Sequence, residues 1–223
     1  RRWWGWRRRI SSSMKRNISR KIEKALDLVL ADPAKHRKYF LGDFLYPHQI
    51  EVIDLIEKHI REKSGKILTV RMARQNGKNE CSAMLATRSF LRYQLTGGSI
   101  IRIAPTYRPQ LVNSKLRIEK LINKDCLLHS QKLQKKEGFI FQYGNVLVFF
   151  LSADPTANVE GATASILLDI DEAHHINPEV FDEKFAPMCA VTSAPTVMWG
   201  VAADKTDLLY RYRMRNEATD KKL

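Results

Sequence analysis

Arg71-Met72-Ala73-Arg74-Gln75-Asn76-Gly77-Lys78-Asn79 decides how this chain is read. A β-type run, Lys66-Ile67-Leu68-Thr69-Val70, leads into it, and a helix-type run, Glu80-Cys81-Ser82-Ala83-Met84-Leu85-Ala86, leads out. Strand, tight polar turn, Gly-Lys and helix, in that order, build a phosphate cradle. The turn's N–H groups and the positive end of the helix face an anion, and the lysine adds a full charge. Measured against G-x-x-x-x-G-K-[ST], only Gly77-Lys78 fits. Met72 stands at the first glycine and Asn79 at the hydroxyl residue. A Gly-Lys pair is common, and a polar loop with Lys78 in solvent is the plain alternative. A second element has to decide.

That element is Ser165-Ile166-Leu167-Leu168-Asp169-Ile170-Asp171-Glu172-Ala173-His174. A run of mainly apolar residues ending in two acids predicts a strand buried on both faces, with carboxylates at its C-terminal edge. Open α/β sheets bind their ligands at that edge. Asp171 is then placed to hold Mg²⁺ through water, and Glu172 to orient or deprotonate an attacking water. A solvated Asp-Glu turn is the plain alternative, and the upstream Gly-Lys argues against it. Asp169 interrupts the apolar run and is expected to be a structural acid or a support for Asp171.

Composition suits one α/β domain with a sizeable core: 223 residues, 44% hydrophobic and 28% charged. No apolar run approaches the roughly twenty residues needed to span a bilayer. Cys81, Cys126 and Cys189 are odd in number and widely spaced, which gives neither a disulfide framework nor a metal pattern and predicts a reducing compartment. Each is expected to be a small buried hydrophobe. No histidine has a Cys/His partner at zinc spacing. His36, His48, His59 and His129 are expected on helices or the surface, and His174 is a conceivable γ-phosphate sensor.

The net charge of +14 is concentrated: residues 1–24 hold ten Lys/Arg against one Glu. Arg1-Arg2-Trp3-Trp4-Gly5-Trp6-Arg7-Arg8-Arg9 could bind nucleic acid or an anionic surface. Met14-Lys15-Arg16 reads as a natural start, so residues 1–17 are expected to be a disordered or non-native tail. The remaining chain is basic enough to predict a polyanionic partner.

Periodicity predicts an N-terminal helical segment over 18–44, including a helix from Ile18 to Leu30, and a second helix from Pro47 through Ile60, broken at Gly65. Beyond the phosphate loop, a helix to about Leu95 precedes a strand over Ser99–Ala104. A helix is expected from Tyr107 to Asn123, with Leu111, Leu116, Ile118, Leu121 and Ile122 as its apolar set. Gly144-Asn145 predicts a hairpin turn between 139–143 and 146–150. A Pro178-initiated helix, a buried strand over Thr196–Val201 and a closing helix over Lys205–Glu217 complete residues 45–223. Strands alternating with helices imply a doubly wound, mainly parallel sheet with an antiparallel hairpin.

Four motifs, in order, resemble those of the large terminase subunit, the DNA-packaging motor of tailed bacteriophages. Ala73-Arg74-Gln75-Asn76-Gly77-Lys78 is similar to that family's deviant Walker A loop, and Leu167-Leu168-Asp169-Ile170-Asp171-Glu172-Ala173-His174 to its Walker B strand with catalytic glutamate. Ile103-Ala104-Pro105-Thr106-Tyr107 with Gln110 resembles its next strand-exit motif. Pro47-His48-Gln49 resembles the segment whose glutamine contacts adenine. The resemblance covers about residues 45–210 and implies a RecA-like P-loop NTPase of the ASCE type. It implies ATP and Mg²⁺ as cofactors, held by Gln49, Arg74, Gln75, Asn76, Gly77, Lys78 and Asn79, with Asp171 and Asn79 at the metal. Glu172, Lys78 and Arg74 would carry catalysis. The implied partners are double-stranded DNA, a portal protein and a small terminase subunit, in a ring homo-oligomer on the portal within the infected host's cytoplasm. An isolated domain is expected to be monomeric, with no membrane contact. Large terminases carry a C-terminal nuclease domain that residues 1–223 lack, so no nuclease activity is expected from them.

The chain also departs from the family. Asn79 replaces the Ser/Thr after the loop lysine, and Glu160 stands where many terminases carry an arginine finger. A carboxylate cannot stabilise charge on a transferring phosphoryl group, so Arg74 and Arg108 are the substitute candidates. Gly200-Val201-Ala202-Ala203 lacks the hydroxyl of the coupling motif. Two alternatives follow. Asp171-Glu172-Ala173-His174 spells a DEAH box, as in superfamily-2 helicase-like translocases. The departures also fit a weakly or non-hydrolysing nucleotide-binding module.

Overall fold

The computed structural model describes residues 24, 27–129, 132–154, 161–201 and 204–220. The basic tail, most of the expected first helix, Glu160 and Ala202-Ala203 lie outside the described residues. Among those described, a seven-stranded sheet runs in the order β1-β7-β6-β2-β5-β4-β3. Its strands are β1 (Ile67–Arg71), β2 (Gly98–Ala104), β3 (Gln134–Lys136), β4 (Ile140–Tyr143), β5 (Val146–Ser152), β6 (Leu167–Ile170) and β7 (Thr196–Gly200). The five strands from β1 to β5 in that order pair in parallel, and β4 and β3 add antiparallel at one edge.

Helices α1 (Pro33–Phe40), α2 (Pro47–Glu62), α3 (Lys78–Tyr93) and α4 (Val112–Lys124) are joined by α5 (Leu208–Asp220). One core fills the space between the sheet and α2, α3 and α4. Ile53, Ile56, Met84, Phe90, Ile118 and Trp199 are buried there. On the opposite face Ile101, Ile103, Ile170, Phe181, Phe185 and Leu208 form a second core. β2 and β6 serve both cores, which is why they read as near-continuous apolar runs. The doubly wound architecture is the one expected from the sequence.

Several elements differ from the sequence expectation. The helix expected from Tyr107 begins at Val112, because a wide turn over Tyr107–Leu111 precedes it and Arg108 is extended (φ −114°, ψ 132°). Pro109 has no N–H to donate and disfavours helical backbone in the residue before it. Leu116 leaves the expected apolar set: it is 58% exposed. The Pro178 helix is one turn, Pro178–Val180, continued by irregular turns over Phe181–Phe185 and Ala186–Cys189. The closing helix starts at Leu208 because the Asp207 carboxylate accepts the Tyr210 N–H at 2.6 Å. Strand β3 was not expected. One single residue also departs from expectation: Cys126 is exposed. His36 lies on α1, within the expectation, and is wholly buried on Asp125 at 2.7 Å.

The order β1-β7-β6 places the candidate chemistry. All three strands point the same way, so the loop after β1 and the acids after β6 leave the sheet at one edge, separated by a single strand.

Candidate active site

The loop after β1 is held from both sides. Met72 N–H donates to Gly200 O at 3.1 Å, which ties its start to the end of β7. Gly77 caps α3 with φ 89°, in the left-handed region that suits glycine. A side chain there would also collide with Gln49, whose Nε2 would lie 2.0 Å from an added Cβ. Gln49 is 5% exposed and its amide is engaged internally. Oε1 accepts the Tyr46 N–H at 3.0 Å, and Nε2 donates to Asn76 O at 3.4 Å. His48 Nε2 reaches the same carbonyl at 3.1 Å. Gln49 therefore clamps the loop in this structure. Arg74, Gln75 and Asn76 are exposed on the loop, with Gln75 at φ 65°.

Lys78, in the first turn of α3, is 8% exposed. Its Nζ donates to Glu172 Oε1 at 3.2 Å, across 94 residues of sequence. Glu172 sits just beyond β6 with left-handed backbone (φ 47°, ψ 46°) and keeps 28% of its side chain exposed. Non-glycine residues seldom adopt that conformation, and they cluster at functional sites. His174 Nδ1 stands 3.5 Å from Glu172 Oε2 and has no hydrogen-bond partner among the described residues. Burial, with His175 beside it, pushes the His174 pKa down.

Asp171 is buried beside this pair. Its Oδ1 accepts the Glu172 N–H at 3.1 Å, and its Oδ2 accepts Arg102 Nη2 at 3.1 Å. Burial raises the Asp171 pKa, and the Arg102 charge works against that rise. Arg102 itself is buried in β2. Its Nη1 also donates to Asp169 Oδ2 at 2.6 Å and contacts the Ser82 hydroxyl of α3. Ser82 donates to Asp169 as well, and Trp199 Nε1 donates to Asp169 Oδ1 at 2.6 Å. Asp169 is thus a buried structural acid.

Asn79 does not join this group. It is exposed and lines a groove between α1, α3 and α4 with Glu80, Arg117 and Lys120. Arg108 is exposed on the wide turn.

No family model matches the chain, and no curated protein matches it in sequence. Solved structures match it in shape. The bacteriophage HK97 large terminase aligns with TM-score 0.68 at 17% identity, over 86% of this chain and 42% of that one. The large terminase ATPase domain of Thermus phage P74-26 aligns with TM-score 0.61 at 19% identity, over 76% of this chain and 69% of that one. The fold is that of a large-terminase ATPase domain. A large terminase from a thermophilic bacteriophage, solved in complex with ADP, aligns with TM-score 0.51 at 13% identity over 69% of this chain and 38% of that one. The chain spans less than half of two of these three terminases.

Within this terminase ATPase fold, the sequence motifs bring Lys78, Asp171 and Glu172 together, and leave Asn79 elsewhere. Arg102 is not among the residues expected at the site. Its signal was present: one arginine in Ser99-Ile100-Ile101-Arg102-Ile103-Ala104, a strand otherwise apolar beyond its first residue. A charge in such a strand is costly unless paired, so a partner on a neighbouring strand was implied. Its identity required the register, which sets Arg102 opposite Asp169.

Proposed function

We propose that this chain is the ATPase motor domain of a viral large terminase, hydrolysing ATP to drive double-stranded DNA into a procapsid. One observation carries the reading: the Lys78–Glu172 contact at 3.2 Å, at the C-terminal edge of a sheet with this strand order. It joins a phosphate-loop lysine to a post-strand glutamate, the two groups that ATP hydrolysis in this fold needs at one site. The ADP complex of one terminase of similar shape supports a nucleotide in the same place.

The residues fit Mg²⁺-ATP. The loop backbone and Lys78 offer positive charge to phosphates, and the Glu172 carboxylate on Lys78 occupies the position of an anion. Asp171 keeps acceptor capacity beyond its two donors, enough to hold a metal through water. Bound Mg²⁺ would neutralise charge on the phosphate oxygens. Lys78 then holds the phosphates, Arg74 stands as the loop's candidate for transferring-phosphoryl charge, and Glu172, freed from Lys78, accepts a proton from the attacking water. Asn79 as a metal ligand requires its side chain to leave the groove it now lines.

In this reading the working assembly is a ring of identical subunits on a portal, with a small terminase subunit, in the cytoplasm of the infected cell. Among the described residues no helix is long and apolar enough to cross a membrane.

The test is Glu172→Gln, assayed by single turnover and by ATP binding. General-base loss is worth about a hundredfold or more in rate, while ground-state contacts are spared. The variant is expected to bind ATP like the parent and lose turnover to that extent. Equal hydrolysis by both proteins would refute the assignment. The placement of Asn79 favours one second reading, a nucleotide-binding module that hydrolyses weakly. Tight ATP binding with no turnover in the parent, with or without DNA, would establish it. Unwinding of a forked duplex would point instead to a helicase-like translocase.

A further inference from the structure

A buried ionic cluster lies beneath the candidate site, and of its members only Asp171 has a direct part in the proposed chemistry. Asp169 and Asp171 are two residues apart on β6 and its extension, so their side chains leave the same face. Arg102 faces them from the adjacent parallel strand, in register with Asp169. Its fork spans both acids, Nη1 on Asp169 and Nη2 on Asp171. The guanidinium cannot swing away. Asp169 is itself held by Trp199 of β7 and Ser82 of α3, and all five side chains are buried. Asp171 is therefore fixed by donors on different oxygens: the N–H of its chain neighbour Glu172 on Oδ1, and Arg102 on Oδ2.

We propose that Arg102 is a positioning residue that sets the carboxylate of Asp171 for the metal, an inference resting on the nucleotide-site reading above. The geometry separates this role from plain core stability. A stabilising pair needs Asp169 alone, which already neutralises the guanidinium. The second arm of the fork goes to Asp171, the acid assigned to the metal at the strand exit. Removing it leaves Asp171 free to rotate about its side-chain torsions, with a single backbone donor. Trp199 donates to Asp169 and, among the described residues, makes no hydrogen bond to Arg102 or Asp171, so its loss tests the structural role by itself.

The experiment is Mn²⁺ binding to the full chain saturated with a non-hydrolysable ATP analogue, read by electron paramagnetic resonance. Binding of the same analogue in excess chelator is measured in parallel. Arg102→Lys keeps the charge but cannot fork to both acids. Loss of a partner that orients a ligand typically costs about tenfold or more in metal affinity, so Arg102→Lys is expected to lose that much while metal-free analogue binding stays within about twofold. The double variant Arg102→Met with Asp169→Asn guards against failure to fold. It removes the buried pair as a unit and leaves the net charge of the cluster unchanged. The same loss of Mn²⁺ affinity is expected from it. Trp199→Phe removes one donor to Asp169, and is expected to lower Tm and leave Mn²⁺ affinity near the parent's.

Parent-like Mn²⁺ affinity in both Arg102 variants would overturn the inference. So would a loss in Trp199→Phe as large as in Arg102→Lys. Asp171→Asn separates the two levels. If it weakens Mn²⁺ binding and Arg102→Lys does not, the positioning role alone fails. If Asp171→Asn binds Mn²⁺ like the parent, the metal assignment fails and the inference falls with it.

Discussion

Lys78 sits in the first turn of α3 with Glu172 as its carboxylate partner, and the two groups have opposite needs once a triphosphate enters. Phosphate oxygens compete for the ammonium, and Glu172 must release it to reach a water. Lys78→Ala removes the ammonium and leaves the loop's backbone donors and Arg74. A charge-assisted hydrogen bond is worth about 1.5–3 kcal/mol, so ATP affinity is expected to fall roughly ten- to a hundredfold by calorimetry. Unchanged affinity would show that the loop does not hold phosphates. Lys78, Asp171 and Glu172 were legible in the sequence because their types, order and flanking hydrophobic pattern are all local properties. Gln49 was half legible. Its position before the loop was readable, but its clamp on Asn76 O depends on where α2 docks, which no local pattern encodes. Arg102 was hidden for the same reason: its partners are set by a crossover that makes β2 and β6 neighbours.

At the scale of elements, Glu80 joins three helices. From α3 it accepts Arg37 of α1 at 2.5 Å and Arg117 of α4 at 2.7 Å. A buried Arg88–Glu57 pair ties α3 to α2 in the same way. Burial would raise the Glu80 pKa, but the hydrogen bond from Arg117 and the charge and hydrogen bond of Arg37 outweigh it, so the folded value is lowered. The sign follows directly. A depressed carboxylate stabilises the fold above its unfolded pKa, and that stabilisation is lost as pH falls through the folded value. Glu80→Gln is expected to cost about 1–3 kcal/mol near neutral pH, because it leaves the buried guanidinium of Arg37 under-satisfied, and nearly nothing in acid. Urea titrations of both proteins at neutral pH and below the folded pKa check this; a gap that persists in acid would rule out the linkage. Elements with strong periodicity were readable: α2, α3, β2, β6 and the hairpin. β3 was not, because Gln134-Lys135-Lys136 carries no hydrophobic alternation and gains its strand geometry from pairing with β4.

Across the whole molecule, charge and topology separate two jobs. The proposed nucleotide site lies beyond the C-terminal ends of β1 and β6, while β3 is the edge strand at the far end of the sheet order, and its exposed lysines guard it against pairing with another chain. Lys135 bonds Glu119 at 2.9 Å, and Lys132 and Lys135 line one groove beside α4. A motor that moves any duplex must hold phosphates rather than base edges, so its affinity should ignore sequence and fall steeply with salt. If this edge carries part of that grip, replacing Lys132, Lys135 and Lys136 by alanine should weaken binding equally on unrelated duplexes. The log–log salt slope should drop by about 0.9 for each phosphate that the variant no longer neutralises. Fluorescence anisotropy on two unrelated duplexes over a salt series reads both quantities. The candidate catalytic residues Lys78 and Glu172 follow β1 and β6, with three or more strands between them and β3, so basal turnover without DNA should stay at the parent rate. A parent whose affinity stays flat across that series would remove the electrostatic grip altogether. A parental slope in the triple variant would place the grip on another surface.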